Sequence, residues 1–138
     1  MVQPYLAGID TAGESMLVHL GDGYSHAFRK EAILRPGESA ETDALFRPEE
    51  VSAREPTDAE RAVTEAALAA VPGGPDRLLY ARVDLLPDES GDPVVIELEL
   101  TEPSLWLSSA PGSADRFAAA IRAALPAPPP ARGPARGR

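Results

Sequence analysis

Two short aliphatic runs on either side of a cluster of turn residues constrain this chain more than any other feature. LLYARVDLL at residues 78–86 and PVVIELEL at residues 93–100 flank PDESGD, an order that reads as one β-hairpin. Side chains alternate along a strand, so Arg82 and Asp84 share one face, and Glu97 and Glu99 share one face of the partner. Pairing Leu86 with Pro93 sets Asp84 opposite Val95 and Arg82 opposite Glu97, which makes the two charged faces coincide. The reverse face, Leu79, Ala81, Val83 and Leu85 against Ile96, Leu98 and Leu100, is then a core face. Three carboxylates this close repel one another unless water, a cation or a basic group intervenes. Hard oxygen ligands of this kind suit Mg²⁺ shared with phosphates. A solvated side of an antiparallel sheet has the same pattern, and the hairpin alone leaves both readings open.

The remaining segments are read the same way. VQPYL, ESMLVHL and YSHAFRK look like three strands within residues 1–30, the last two joined tightly at Gly21-Asp22-Gly23. Residues 35–56 mix proline, acids and isolated apolar residues without a period, which predicts a long surface loop. Thr57-Asp58-Ala59-Glu60 is a capping box, and Val63, Ala66, Ala67, Ala70 and Val71 recur at helical spacing until Pro72-Gly73-Gly74. A second helix follows the hairpin, capped by Ser113, with Phe117, Ile121 and Leu125 on one stripe and Pro126 at its end. The expected architecture is α+β: an antiparallel sheet of about five strands with the helices packed on one face. Residues 1–125 form one domain in this reading, and the Pro/Ala/Arg-rich stretch 126–138 a disordered tail.

Composition narrows the function classes. With no cysteine, disulfides, thiolate zinc sites and cysteine nucleophiles are excluded, and a reducing cytosol is the expected compartment. The formal net charge of -9 makes nucleic acid an unfavourable partner. No apolar run reaches membrane-spanning length, and none is preceded by a basic leader, so no membrane association is expected. His19 and His26 have no second ligand at metal spacing, and Trp106 reads as a packing residue.

The order of VQPYL, a Gly-Glu-Ser strand, YSHAFRK, a capped helix, Arg-Val-Asp and ELELTEPS resembles the C-terminal lobe of the ATP-grasp ligases. The branch it looks most like includes prokaryotic glutathione synthetase and the cyclo-ligase of cycloserine biosynthesis. The resemblance implies that Asp84, Glu97 and Glu99 hold Mg²⁺, with Glu99 standing where many members carry Asn. It implies that Gln3, Pro4, Tyr5 and Leu6 form the hinge beside the adenine of ATP, that Glu14 reaches ribose, and that Lys30 contacts phosphate. Arg29 and Arg82 would then face the phosphate or the acyl phosphate, as catalytic residues. Phosphoryl transfer is helped mainly by positioning and by cations that neutralise moving charge, which suits these residue types.

In that family further phosphate-binding lysines and a glycine-rich loop belong to an N-terminal lobe, whereas this chain starts at the hinge and has Lys30 as its only lysine. The expectation is half of an ATP-dependent carboxylate ligase, inactive alone. It would be completed by an N-terminal half or a second copy and would act on a small-molecule carboxylate and an amine-like nucleophile. Apolar surface should remain exposed along residues 1–6. A reading from another class is a non-catalytic α+β remnant or interaction module whose acidic hairpin is merely solvated.

Overall fold

The structure is a computed structural model, and residues 4–32 and 51–126 are described. Its centre is one antiparallel sheet. The strands are β1 (Glu14–Leu20), β2 (Gly23–Lys30), β3 (Val51–Arg54), β4 (Tyr80–Pro87) and β5 (Pro93–Glu99), in the spatial order β3-β2-β1-β4-β5. The helices are α1 (Gly8–Ala12), α2 (Asp58–Ala69) and α3 (Ser113–Ala124). The expected α+β class and five-stranded antiparallel sheet are both present.

Period-two alternation on β1 feeds two separate cores. Leu17 joins Ala27, Ala81, Val83 and Leu85 under Leu68 of α2, whereas Met16, Val18, Leu20 and Phe28 pack against Phe117 of α3 and the Leu105–Leu107 stretch. The helices therefore lie on opposite faces, which corrects the expectation that both pack on one. β1 buries Met16, Val18 and Leu20 on one face and Leu17 on the other, so each face needs its own cover. Phe28, wholly buried on the α3 side, carries the largest single load there.

α2 starts as its sequence says it should. The Glu60 amide donates to Thr57 Oγ1 at 3.2 Å, and the Thr57 amide donates to Glu60 Oε2 at 2.7 Å. Arg54 of β3 donates to the same Glu60 oxygen at 2.8 Å and also to Ser15 Oγ, which ties the edge strand to the cap and to β1.

Three further expectations are corrected. Pro4–Leu6 is not a strand: this stretch leads into α1, whose Gly8 lies so close to Pro87 that a Cβ would come within 2.5 Å of its carbonyl oxygen. Tyr5 is 65% exposed, in line with the expected apolar edge, whereas Gln3 and the first two residues lie outside the described residues. Within the expected loop 35–56, Val51–Arg54 is the edge strand β3, and residues 33–50 lie outside the described residues. Ser113 does not cap α3. Gly112 takes the cap position with φ 76°, and the buried Ser113 hydroxyl turns inward to donate to the Leu107 carbonyl at 2.5 Å. The proposed tail from Ala127 onward also lies outside the described residues.

Candidate metal and phosphate site

On the α3 side of the sheet, apolar packing covers the end near Leu20 and Tyr80 and gives way to charge at the end near Glu14 and Asp84. Pairing decides which charges meet. Pro87 faces Pro93, and Leu85 faces Val95. A bulge then leaves Ile96 unpaired, so Asp84 faces Glu97 and Arg82 faces Glu99. This corrects the expected register, in which Arg82 faced Glu97 and Asp84 faced Val95. The charged faces still coincide, because the shift is by two residues and side chains repeat every two. Across β1, Met16 faces Asp84 and Glu14 faces Lys30.

Carboxylate oxygens of Glu14, Asp84 and Glu97 lie within 4.8 Å of one another. Asp84 is wholly buried. Arg82 grips it with both arms of its fork, Nε to Oδ1 at 2.8 Å and Nη2 to Oδ2 at 2.7 Å, while Nη2 also donates to Glu99 and Nη1 to the Ser104 carbonyl at 3.2 Å. Such bidentate, charge-assisted pairs are the strong ones. A cleft of about 250 Å³ opens over this group, lined by Glu14, Lys30, Arg82, Glu97 and Glu99 together with Glu102 and Trp106.

The electrostatics follow from burial and like charge. Burial pushes the Glu14 carboxyl up from 4.5 to about 7, and the Asp84 and Glu97 charges add to this against the opposing pull of Lys30 and Arg82. Glu99 is also raised: burial and the Glu97 and Asp84 charges outweigh its pairing with Arg82. For Arg82, burial pulls downward but is overcome by Asp84 and Glu99, so its pKa rises and the guanidinium stays charged.

The expected site residues are thus partly assembled. Arg82, Asp84, Glu97, Glu99, Glu14 and Lys30 share one face. Glu14 stands beside the hairpin carboxylates, and Glu99 is occupied by Arg82. Arg29 faces Ser15 on the other side of the sheet and donates to the Thr11 carbonyl at 3.1 Å. Pro4, Tyr5 and Leu6 lie ahead of α1, where the Tyr5 hydroxyl donates to Asp10 at 2.7 Å.

The sequence reading missed Glu102 and the wall role of Trp106. Both adopt left-handed backbone, at φ 50° and 44°, a conformation uncommon outside glycine. The Glu102-Pro103 dipeptide was the available signal for a turn there. Trp106 does pack, with its ring 6.0 Å from that of Phe28, but it also borders the cleft. His26 braces the same stretch: its Nε2 donates to the Leu105 carbonyl at 2.8 Å, which leaves Nδ1 to accept from Ser25.

A larger groove of about 760 Å³ lies at the other end of β1, between the Gly21-Asp22 turn, Leu78 and the alanines of α3. Its lining is mainly apolar and gathers no convergent carboxylates, so the smaller cleft is the better candidate for chemistry despite its size. Among the described residues, no helix is long and apolar enough to cross a membrane.

No protein-family model matches the chain. It is 41% identical over 125 residues to the cycloserine biosynthesis protein DcsG of Streptomyces lavendulae, a match covering 88% of this chain and 40% of that protein. The crystal structure of D-cycloserine synthetase DcsG superposes with a TM-score of 0.72 at 38% identity, over 86% of this chain and 40% of that one. The ATP-grasp ligase PsnB, solved with a minimal precursor, superposes with a TM-score of 0.51 at 19% identity, over 81% of this chain and 35% of that one, a likeness of fold. The chain therefore spans about 40% of the length of the curated relative it matches.

Proposed function

Because this chain belongs to the ATP-grasp ligases, matching their C-terminal lobe, we propose that it supplies the Mg²⁺- and phosphate-binding part of an ATP-dependent carboxylate ligase. The observation that carries this is the convergence of Glu14, Asp84 and Glu97 beside the Arg82 guanidinium. The donor set fits the group: oxygen ligands suit a hard dication, and Mg²⁺ takes few protein carboxylates, leaving positions for phosphate oxygens and water. When bound, Mg²⁺ neutralises charge on the transferring phosphoryl group. Asp84 and Glu97 would hold it with Glu14 as the third oxygen donor, while Glu99 keeps Arg82 in place. Lys30 and Arg82 border the cleft as cations for phosphate oxygens.

ATP would activate a carboxylate as its acyl phosphate, and an amine or similar nucleophile would then displace the phosphate. The remaining phosphate contacts and the substrate pocket would come from an N-terminal half or a second copy in the cytosol, and the described lobe alone should turn over ATP negligibly. The competing reading, a merely solvated acidic face, fits poorly with Asp84, which is fully buried and gripped by Arg82.

Calorimetric titration of Mg²⁺ with and without ATP, on the parent and on Glu97→Gln, tests the proposal. Binding should be weak without ATP, strengthen when ATP is present, and fall at least roughly tenfold in the variant, which loses a ligand. Identical curves for the two proteins would leave only the solvated face.

A further inference from the structure

Arg82 is the one group in the cleft whose arrangement the metal reading does not require. Its fork occupies both oxygens of Asp84, at 2.8 and 2.7 Å, and it is only 6% exposed. It does there what a cation would do, screening Asp84 from Glu97 and Glu99. A divalent ion seated among Glu14, Asp84 and Glu97 must share the Asp84 oxygens with this guanidinium, and two positive groups on one carboxylate repel each other.

Arg82 also has somewhere to go. Nη2 reaches Glu99 and Nη1 reaches the Ser104 carbonyl, and Arg82, Glu99 and Ser104 all border the open cleft. A guanidinium that lets go of Asp84 therefore keeps Glu99 as a partner at the edge of the cleft.

We infer that Arg82 is a built-in counter-cation: a divalent ion at Glu14, Asp84 and Glu97 displaces it from Asp84, and Glu99 serves as the pivot that presents the freed guanidinium to an anionic group in the cleft. The inference rests on the metal reading above. Glu99 thereby has a task that an amide could not perform, since a neutral side chain would hold Arg82 far more weakly. Coupling of this kind is reciprocal: whatever the ion costs Arg82 in its hold on Asp84, Arg82 costs the ion in affinity.

The test uses the full chain and Mn²⁺ as the probe, with free Mn²⁺ read by electron paramagnetic resonance. Arg82→Gln should bind Mn²⁺ about tenfold or more tightly than the parent, because a unit positive charge next to the ion is removed. If Arg82 merely held the site together, the variant would bind Mn²⁺ more weakly. Equal or weaker binding overturns the inference and leaves the metal site standing, whereas a parent that binds no Mn²⁺ even with ATP present defeats the metal reading and the inference with it.

A measurement on the parent decides the matter if Arg82→Gln does not fold. The Arg82 Nε–H signal in a ¹⁵N-arginine-labelled sample should be protected from exchange in chelator, and should shift and lose that protection at saturating Mg²⁺. A signal that stays protected and unmoved would overturn the displacement.

Discussion

Glu14→Gln isolates the electrostatic cost of the cleft. In the folded chain the Glu14 carboxyl titrates near 7 instead of 4.5, with burial as the main cause and the Asp84 and Glu97 charges adding to it. A raised acid binds its proton more tightly when folded than when unfolded, so its ionisation opposes folding as the pH rises from about 4.5 to about 7. Each pH unit in that window is worth about 1.4 kcal/mol, so a fully enclosed carboxyl would cost roughly 3 kcal/mol. Glu14 keeps part of its surface in water at the cleft mouth, and solvent screening reduces the figure to about 1–2 kcal/mol. Denaturant unfolding in chelator at pH 5 and pH 8.5 reads it directly. The parent should lose about 1–2 kcal/mol relative to Glu14→Gln between those two values, with the two proteins close to equal at pH 5. Excess Mg²⁺ at pH 8.5 should narrow the gap, since a cation relieves the same repulsion that the substitution removes. Parallel pH profiles for the two proteins would show that Glu14 is solvated and that the three carboxylates do not converge.

Two other substitutions test how the cleft is supported. Glu60→Ala removes the Glu60 side-chain half of the α2 capping box and the Arg54 partner, and should cost roughly 2–3 kcal/mol in denaturant unfolding near neutral pH. Although burial alone would raise the Glu60 carboxyl, the Thr57 amide and Arg54 outweigh it and hold it below its ordinary value, so this difference should fade as the pH falls through the carboxylate range. Gly13→Ala meets φ 66° and would place a Cβ 2.7 Å from the Lys30 carbonyl oxygen, directly before Glu14. Strain of that kind costs roughly 1–3 kcal/mol, and the melting temperature should drop with Mn²⁺ affinity because β1 and β2 are forced apart at the cleft.

Elements with local signals were legible in the sequence, and those defined by distant partners were not. The capping box of α2, the Gly21-Asp22 hairpin and the β4–β5 hairpin each carry their own instructions within a few residues. β3 does not: VSAR is four residues long with no clear period, and it becomes a strand because the edge of β2 pairs with it. VQPYL has strand-like composition, but the chain there turns into α1, which packs on β4 where Gly8 alone can approach Pro87. Ser113 has the residue type of a cap, yet the left-handed Gly112 places its hydroxyl inside the structure, where the Leu107 carbonyl needs a donor.

The candidate site depends on two single-residue bulges, and neither is visible to a reading based on alternation. Counted from the Leu20–Gly23 pair without interruption, β1 and β2 would bring Arg29 opposite Glu14. The irregularity after Val18 absorbs Ser25, so Lys30 takes that place and Arg29 passes to the opposite face. Counted in the same way from the Pro87–Pro93 pair, Asp84 would meet Ile96 and Arg82 would meet Leu98, which would put aliphatic side chains in the cleft. The bulge at Ile96 restores Glu97 and Glu99 to it. Each bulge inserts one residue and so reverses the face of everything beyond it. Period two grouped Arg82 with Asp84 and Glu97 with Glu99, and the assumed Leu86–Pro93 pairing was what placed the two groups on one face. The choice between Arg29 and Lys30, and the exchange of Arg82's partner from Glu97 to Glu99, were settled by where the backbone takes up an extra residue.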